Sequence, residues 1–180
     1  MRFWNGLLLC PPRGYGEYLH MEIAEYLGPC VSATVERVFS TMISLAVVTT
    51  KVEDLNTIGE DHLPEITGSV SFAGAMTGVV YLSIHPGLAK AMTSRITGQE
   101  GAHSESEEND VIGEFTNMVT GNIKTAMADK GYNSALTIPS VVRGRSITLT
   151  GKGFTHAIRV TFSIPEIGEE FQVRLMVKLG

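Results

Sequence analysis

Apolar positions recur every three or four residues over two long stretches of the chain, and this spacing predicts two long amphipathic helices. The first stretch, Met21 to about Ser44, contains Pro29. It is therefore either one helix kinked at the proline, or a short helix to Leu27 followed by a longer one from Pro29. The second stretch, about Ser106 to Lys130, is the more regular. Its stripe consists of Val111, Ile112, Phe115, Met118, Val119, Ile123 and Ala126.

The second helix also has start and stop signals in its sequence. Ser104 and Glu107 have the spacing of a capping box. Glu107, Glu108 and Asp110 suit the positive end of a helix dipole, and Gly131 suits the residue after a helix end. The stripe and both ends therefore predict the same helix.

Short segments with alternating or β-branched residues predict strands around the two helices. These segments are Ala46–Val52, Ile66–Ala75, Gly78–Ile84, Ala135–Val142, Ser146–Leu149, Thr155–Ile164 and a last strand from Phe171 to Leu179. Ile66–Ala75 and Gly78–Ile84 form a predicted hairpin, preceded by a polar connector, Asp54–Pro64. A short helix, Leu88–Ile96, ends at Gly98.

The last strand indicates how the sheet packs. Phe171, Val173, Leu175, Val177 and Leu179 share one face, and Gln172, Arg174, Met176 and Lys178 share the other. This alternation is typical of an antiparallel sheet with one face against helices. The predicted fold class is α+β, with antiparallel strands packed against two long helices and two similar halves related by internal pseudo-symmetry.

Length and charge narrow the classes of protein. A chain of 180 residues buries one sizeable core, so a single domain is expected. The net charge of −5 lacks the basic footprint of a nucleic-acid binder, so nucleic acid is not an expected partner. No run approaches the ~18 consecutive apolar residues of a membrane span, so no membrane partner is expected.

The remaining composition argues against a metal site or a secreted domain. Cys10 and Cys30 stand alone, and the five histidines are scattered without metal-ligand spacing. We therefore predict no bound metal, and a reducing, cytoplasmic location.

Residues 1–20 differ in pattern from the rest and form a predicted N-terminal extension outside the domain of residues 21–180. A signal peptide is disfavoured because the apolar run is short and interrupted.

Four residues of the long helix share one face: Asp110, Glu114, Asn117 and Gly121 lie four, three and four residues apart. At 100° per residue they span roughly 60° and lie about 140° from the apolar stripe. A glycine inside an exposed helix costs ~1 kcal/mol relative to alanine, and close approach of a partner is one reason to tolerate it. A solvated helix face carries similar residue types, so the residues alone leave both interpretations open.

The segment from Asp110 to Asn122 resembles the signature helix of the CheC, CheX and FliY phosphatases of bacterial chemotaxis. The resemblance extends from about Met21 to the C-terminus and includes the segment Ile138–Gly144. CheC-like proteins carry the signature twice. In the first helix the same frame consists of Ser32, Glu36, Phe39 and Ile43, with an aromatic ring in place of asparagine, so the resemblance favours a CheX-like protein.

The resemblance implies a phosphatase that removes the phosphoryl group from the aspartate of a CheY-like response regulator in a two-component pathway. Asn117 would position the attacking water, Glu114 would pair with a lysine of the regulator, and Asp110 and Gly121 would belong to the docking surface. This chain would bind no cofactor of its own, and Mg²⁺ would be held by the regulator.

Two further expectations accompany this one. A non-catalytic CheX-like adaptor in a two-component or flagellar assembly is the main alternative. CheX-like proteins pair through their sheets, so a homodimer is predicted, with the long final strand as the candidate edge.

Overall fold

The computed structural model of this protein describes residues 15–55, 61–145, 147–149 and 153–179, with side chains described from residue 23 onward except that of Asp61. Its helices are α1 (Tyr15–Ile43), α2 (Pro86–Thr97) and α3 (Glu105–Ala128). Its strands are β1 (Val48–Asp54), β2 (Asp61–Leu63), β3 (Ile66–Gly74), β4 (Met76–Ile84), β5 (Ser134–Leu136), β6 (Ser140–Arg143), β7 (Ile147–Leu149), β8 (His156–Ile164) and β9 (Glu169–Leu179).

The main sheet has seven antiparallel strands, and six of them follow the order β1-β8-β9-β4-β3-β5. The seventh strand, β6, pairs with the same edge of β3 as β5. Each half of the chain contributes one long hairpin, β3–β4 and β8–β9, and these meet at the centre. The outer strand of each half pairs with the hairpin of the other half, because β1 joins β8 and β5 joins β3. This exchange is the arrangement that two pseudo-symmetric halves predict, and the α+β fold class is confirmed.

All three helices contribute to one continuous core, in which α1 and α3 pack on the sheet and α2 packs against α1 and α3. Phe39 of α1 stacks on Phe171 of β9 with ring centroids 4.6 Å apart. Phe39 also meets Phe115 of α3 edge to face at 5.1 Å. Burying a phenylalanine side chain stabilises the folded state by about 1.5–3 kcal/mol. These ring contacts are therefore a main source of the packing between α1, α3 and the sheet.

The opposite face of the sheet is also partly covered. Met176 of β9 belongs to a second apolar cluster there, and Leu149 of β7, which pairs with β2, packs against this cluster. Arg174, fully buried on the same face of β9, donates to Gln172 Oε1 at 2.7 Å and to the carbonyl of His62 at 3.2 Å. The predicted apolar alternation of the last strand is confirmed on its helix side, and its other face contains a buried charge that holds β2 in place.

Several sequence predictions require correction. α1 begins at Tyr15, six residues before the predicted start, and runs continuously through Pro29, whose ring is exposed and clear of the core. The predicted connector Asp54–Pro64 contains β2. The predicted strand Ala135–Val142 is divided into β5 and β6 around Pro139, which has no N–H to donate to a ladder. Residues 1–14 lie outside the described part, so the N-terminal extension stays a prediction.

The prediction that the final strand forms a sheet edge is wrong. β9 lies between β8 and β4 and pairs with both along most of its length. Alternation along a strand reports which face is buried, whereas the position of a strand within a sheet depends on pairing with distant segments. The sequence pattern therefore carried no information on this point.

Candidate functional site

The first turn of α3 is fixed by its cap. The N–H of Glu107 donates to Ser104 Oγ at 3.2 Å, and the N–H of Ser104 donates to Glu107 Oε2 at 2.8 Å, which confirms the predicted capping box. The hydrogen bond from the Ser104 backbone lowers the pKa of the Glu107 carboxyl below its usual value. The helix therefore begins at a defined residue.

α3 lies very close to the sheet at Gly68 of β3. A Cβ atom added at Gly68 would overlap the hydroxyl of Thr116 and touch Ile112 at 3.1 Å. Thr116 and Thr120 are fully buried, and their hydroxyls donate to the carbonyls of Ile112 and Thr116 of the same helix at 2.7 Å each. Because these polar groups are satisfied within the helix, α3 can pack directly on the strand backbone.

Arg143 of β6 fixes the rotation of the N-terminal half of α3. Its Nε donates to Asn109 Oδ1 at 2.7 Å, and its terminal nitrogen donates to Glu108 Oε2 at 2.8 Å. No pattern in the sequence predicted this contact. The sequence does contain one indication of it. Arg143 lies two residues after Val141 and therefore on the same side of β6, the side that faces the helix.

The four predicted site residues lie on the face of α3 that points away from the core. Asp110 and Glu114 are exposed, and Asn117 and Gly121 are half-buried at the border of the packed surface. Within the described part of the chain, the side chains of Asp110, Glu114 and Asn117 have no hydrogen bond or ion pair. The face therefore presents two carboxylates and one amide that are free to bind another molecule.

A groove of about 350 Å³ runs beside this face. It is lined by Asn109, Asp110, Gly113, Glu114, Pro139 and Val141. One wall thus carries two free carboxylates, and the other is apolar and comes from the segment that leads into β6.

Gly121 has no internal packing role in the described structure. A Cβ atom added there would have one contact within 4 Å, with Leu136 Cδ1 at 3.9 Å, which is ordinary van der Waals distance. Packing within the chain therefore does not require a glycine at this position, in contrast to Gly68.

The neighbouring asparagine behaves differently from Asn117. Asn122 donates from Nδ2 to the carbonyl of Met118 at 2.9 Å and is half-buried, so its amide is occupied within the helix.

The matching frame on α1 is not a second site of the same kind. Glu36 is exposed like Glu114, but Phe39 and Ile43 are buried in the core. A shallow pocket of about 480 Å³ lies beside Glu36, Ser40 and the residues that follow α1. No amide is present at the position that corresponds to Asn117.

The described residues contain no group of three or more His, Cys, Asp or Glu side chains placed to hold a metal ion. None of the helices in the same ranges is long and apolar enough to cross a membrane.

Comparison with known families gives one clear match. The family model described as chemotaxis phosphatase CheX matches residues 66–163, which is more than half of the chain and includes all of α3. A search of curated proteins finds no significant match.

Solved structures share the fold. A chemotaxis protein CheX from Vibrio vulnificus is 27% identical, with a TM-score of 0.74 over 86% of this chain and 100% of that one. A CheX from Desulfovibrio desulfuricans is 20% identical, with a TM-score of 0.74 over 87% and 99%. A CheX–CheY–BeF₃–Mg²⁺ complex from Borrelia burgdorferi is 21% identical, with a TM-score of 0.67 over 83% and 96%.

Proposed function

This chain belongs to the CheX family of chemotaxis phosphatases, and we propose that it removes the phosphoryl group from the aspartate of a CheY-like response regulator. The observation that carries the proposal is the face of α3, where a free carboxylate and a free amide lie one turn apart on a helix that is fixed at its cap and along its buried side. The Borrelia complex of CheX with CheY supports a partner of this kind.

Asn117 positions the attacking water. Hydrolysis of an aspartyl phosphate needs a water in line with the bond between phosphorus and the aspartate oxygen; that bond breaks, and the products are the carboxylate and inorganic phosphate. A neutral amide can accept from and donate to such a water without adding charge, and its half-buried position limits its rotamers. Charge neutralisation comes from the regulator, whose Mg²⁺ belongs to the substrate and not to this chain.

Glu114 sets the docking geometry. Its exposed carboxylate has no partner among the described residues and therefore can pair with a lysine of the regulator through a charge-assisted hydrogen bond. Asp110, one turn earlier, adds a second carboxylate to the same docking surface. Gly121, one turn after Asn117, lets the backbone of the regulator approach the helix.

The test compares two asparagines of the same helix. Phosphate release from phosphorylated CheY-like regulators of the same genome is measured with catalytic amounts of the wild-type protein, of Asn117→Ala and of Asn122→Ala. Losing a residue that positions the water should lower the accelerated rate about 100-fold or more. Asn122→Ala, which removes a half-buried amide on the other side of α3, should retain it.

Two outcomes would contradict the proposal. Equal rates for wild type and Asn117→Ala would remove Asn117 from the mechanism. Binding to a regulator without any acceleration of phosphate release would replace the phosphatase by a non-catalytic adaptor.

We also propose that this protein forms a homodimer in the cytoplasm. The described strands leave the outer side of β1 unpaired, and Val48 and Val52 on this strand are 50% and 52% exposed. An exposed edge with apolar side chains is suited to pairing with a second copy. Light scattering after size exclusion should give twice the monomer mass, and a monomer at micromolar concentration would refute the dimer.

A further inference from the structure

Ile138 is the most exposed large apolar side chain in the described structure, at 87%. It directly precedes Pro139, which lines the groove beside Glu114. We propose that Ile138 and this groove form the surface that selects the response regulator, with Ile138 as an apolar anchor and the groove as the seat of a basic side chain. The inference rests on the proposed function and names the residues through which the partner is recognised.

The segment around Ile138 is held rigidly although its side chain is exposed. The N–H of Thr137 donates to the carbonyl of Ser71 at 2.9 Å, and the N–H of Ser71 donates to Thr137 Oγ1 at 3.1 Å. On the other side Pro139 restricts φ, and Ser140 pairs with β3. An anchor on a rigid segment loses little conformational freedom on docking, which favours binding.

The groove has two chemically different walls. Asp110 and Glu114 form an acidic wall without partners in the described chain, and Pro139 and Val141 form an apolar wall. A lysine or arginine matches both walls, because its aliphatic stem lies along apolar surface while its charge reaches a carboxylate. The charge and shape of the groove thus favour a partner that presents a basic side chain next to an apolar patch.

Gly113 gives the groove its depth. It lies in the interior of α3, where glycine is unfavourable, and a Cβ added there would meet Pro139 and Val141 only at 3.8 to 3.9 Å. Packing of the chain therefore tolerates an alanine at this position. The absence of a side chain leaves room between the two walls.

The anchor is tested with Ile138→Ser and with Ile96→Ser as its control, since Ile96 is 40% exposed on α2 and does not line the groove. Affinity is measured for a CheY-like regulator that carries BeF₃⁻ and Mg²⁺ in place of its phosphoryl group, and turnover is measured separately by phosphate release. Loss of one buried isoleucine contact should weaken binding and raise KM about tenfold, with kcat within about twofold of wild type. Ile96→Ser should change neither quantity.

The depth of the groove is tested with Gly113→Ala. The variant should be at least as stable as wild type towards urea, because alanine favours the helix, and should bind the same regulator about threefold to tenfold more weakly. Unchanged affinity in Gly113→Ala would overturn the role of the groove, and unchanged affinity in Ile138→Ser would overturn the anchor.

The two readouts separate this inference from the proposed function. Binding that depends on Ile138 without accelerated phosphate release would keep the docking surface and refute the phosphatase. Accelerated release that is insensitive to Ile138 would keep the phosphatase and refute the docking surface. If wild type binds no regulator, both are refuted.

Discussion

The two long helices carry the same four-three-four frame and use it differently. On α3 the third position of the frame is Asn117, half-buried at the border between the solvent face and the core. On α1 the third position is Phe39, fully buried against Phe171 and Phe115. The comparison shows that the third position lies at the border of the packed surface on α3 but inside the core on α1, so only α3 can present an amide there.

The border location also suits the role proposed for Asn117. A fully exposed amide samples several rotamers, whereas one flanked by packed residues of the same helix is restricted. The first position differs less between the helices, because the residues there, Ser32 and Asp110, are both polar. The second position does not differ, because Glu36 and Glu114 are both exposed glutamates.

The largest expected effect comes from forcing the α1 frame to match that of α3. Phe39→Asn removes a fully buried ring and places an amide among apolar side chains. We expect the free energy of unfolding to fall by about 4 kcal/mol or more, measured by urea denaturation. No second phosphatase site should appear, because the buried amide cannot reach a partner.

Phe39→Leu is the matched control for this change. It keeps an apolar side chain and should cost about 1–2 kcal/mol through lost volume and ring contacts. A Phe39→Asn protein as stable as Phe39→Leu would mean that the third position on α1 can also turn to solvent, and the contrast between the helices would be wrong.

The next effect compares the two exposed glutamates. Glu114→Lys should lower kcat/KM for the phosphorylated regulator about 100-fold, because it replaces the proposed pairing with a regulator lysine by repulsion between like charges. Glu36→Lys makes the same change of charge on α1 and should alter kcat/KM by less than about threefold. Steady-state phosphate release with purified regulator measures both.

Equal losses in the two charge-reversal variants would contradict the assignment of Glu114. They would indicate that the regulator responds to the overall negative charge of the protein and not to a docking contact on α3. Raising the salt concentration distinguishes the cases further, because a long-range charge effect is screened more strongly than a close pair.

The sequence predicted the site face better than the scaffold that holds it. Helical spacing places Asp110, Glu114 and Asn117 on one side of α3, because that spacing is a local property of the chain. The close packing of α3 on Gly68 and the hydrogen bonds from Arg143 to α3 both join residues that are far apart in the sequence. No local pattern identifies these contacts. Gly68 meets α3 only when this helix packs on β3, and Arg143 reaches the same helix because β6 pairs with β3.

The same distinction holds for the strands. The alternation in Phe171–Leu179 correctly identified the buried face of β9, but it could not show that β9 is central or that Arg174 is buried on the other side. Both depend on which segments pair with β9 and cover it. The N-terminal part of α1 was missed because the apolar spacing begins only at Ile23, although the helix extends back to Tyr15.

A third glutamate shows what a structurally engaged carboxylate looks like beside the free Glu114. Glu53 of β1 accepts from Arg159 Nε at 2.9 Å and pairs with Lys51 Nζ at 2.8 Å. Hydrogen bonds from Arg159 and then Lys51 lower the pKa of Glu53 to about 2. Because the folded-state pKa is depressed, the contribution to stability is present above about pH 4.5 and is lost as the pH falls towards 2.

Glu53→Gln should therefore reduce the free energy of unfolding by about 1 kcal/mol at pH 7, and the difference from wild type should shrink between pH 4.5 and 2. Urea denaturation at a series of pH values measures it. Glu114→Gln is the control and should stay within about 0.5 kcal/mol of wild type at pH 7. A destabilisation by Glu53→Gln that stays constant down to pH 2 would show that the ion pairs are not its cause.

The smallest expected effect concerns where the α1 frame ends. Ser44, directly after α1, has φ +53°, in the left-handed region that disfavours residues with a Cβ, whereas α2 ends at Gly98 with φ +68°. Ser44→Gly should raise the free energy of unfolding by about 0.5 kcal/mol, because relief of the strained backbone slightly exceeds the extra entropy that glycine has in the unfolded chain. Urea denaturation checks this. Ser40→Gly is the control and should lower the free energy of unfolding, since Ser40 lies inside the helix.

Phosphatase activity should be unchanged in Ser44→Gly, because Ser44 follows α1, the helix without the amide. A loss of turnover in a fully folded variant would mean that α1 also contacts the regulator.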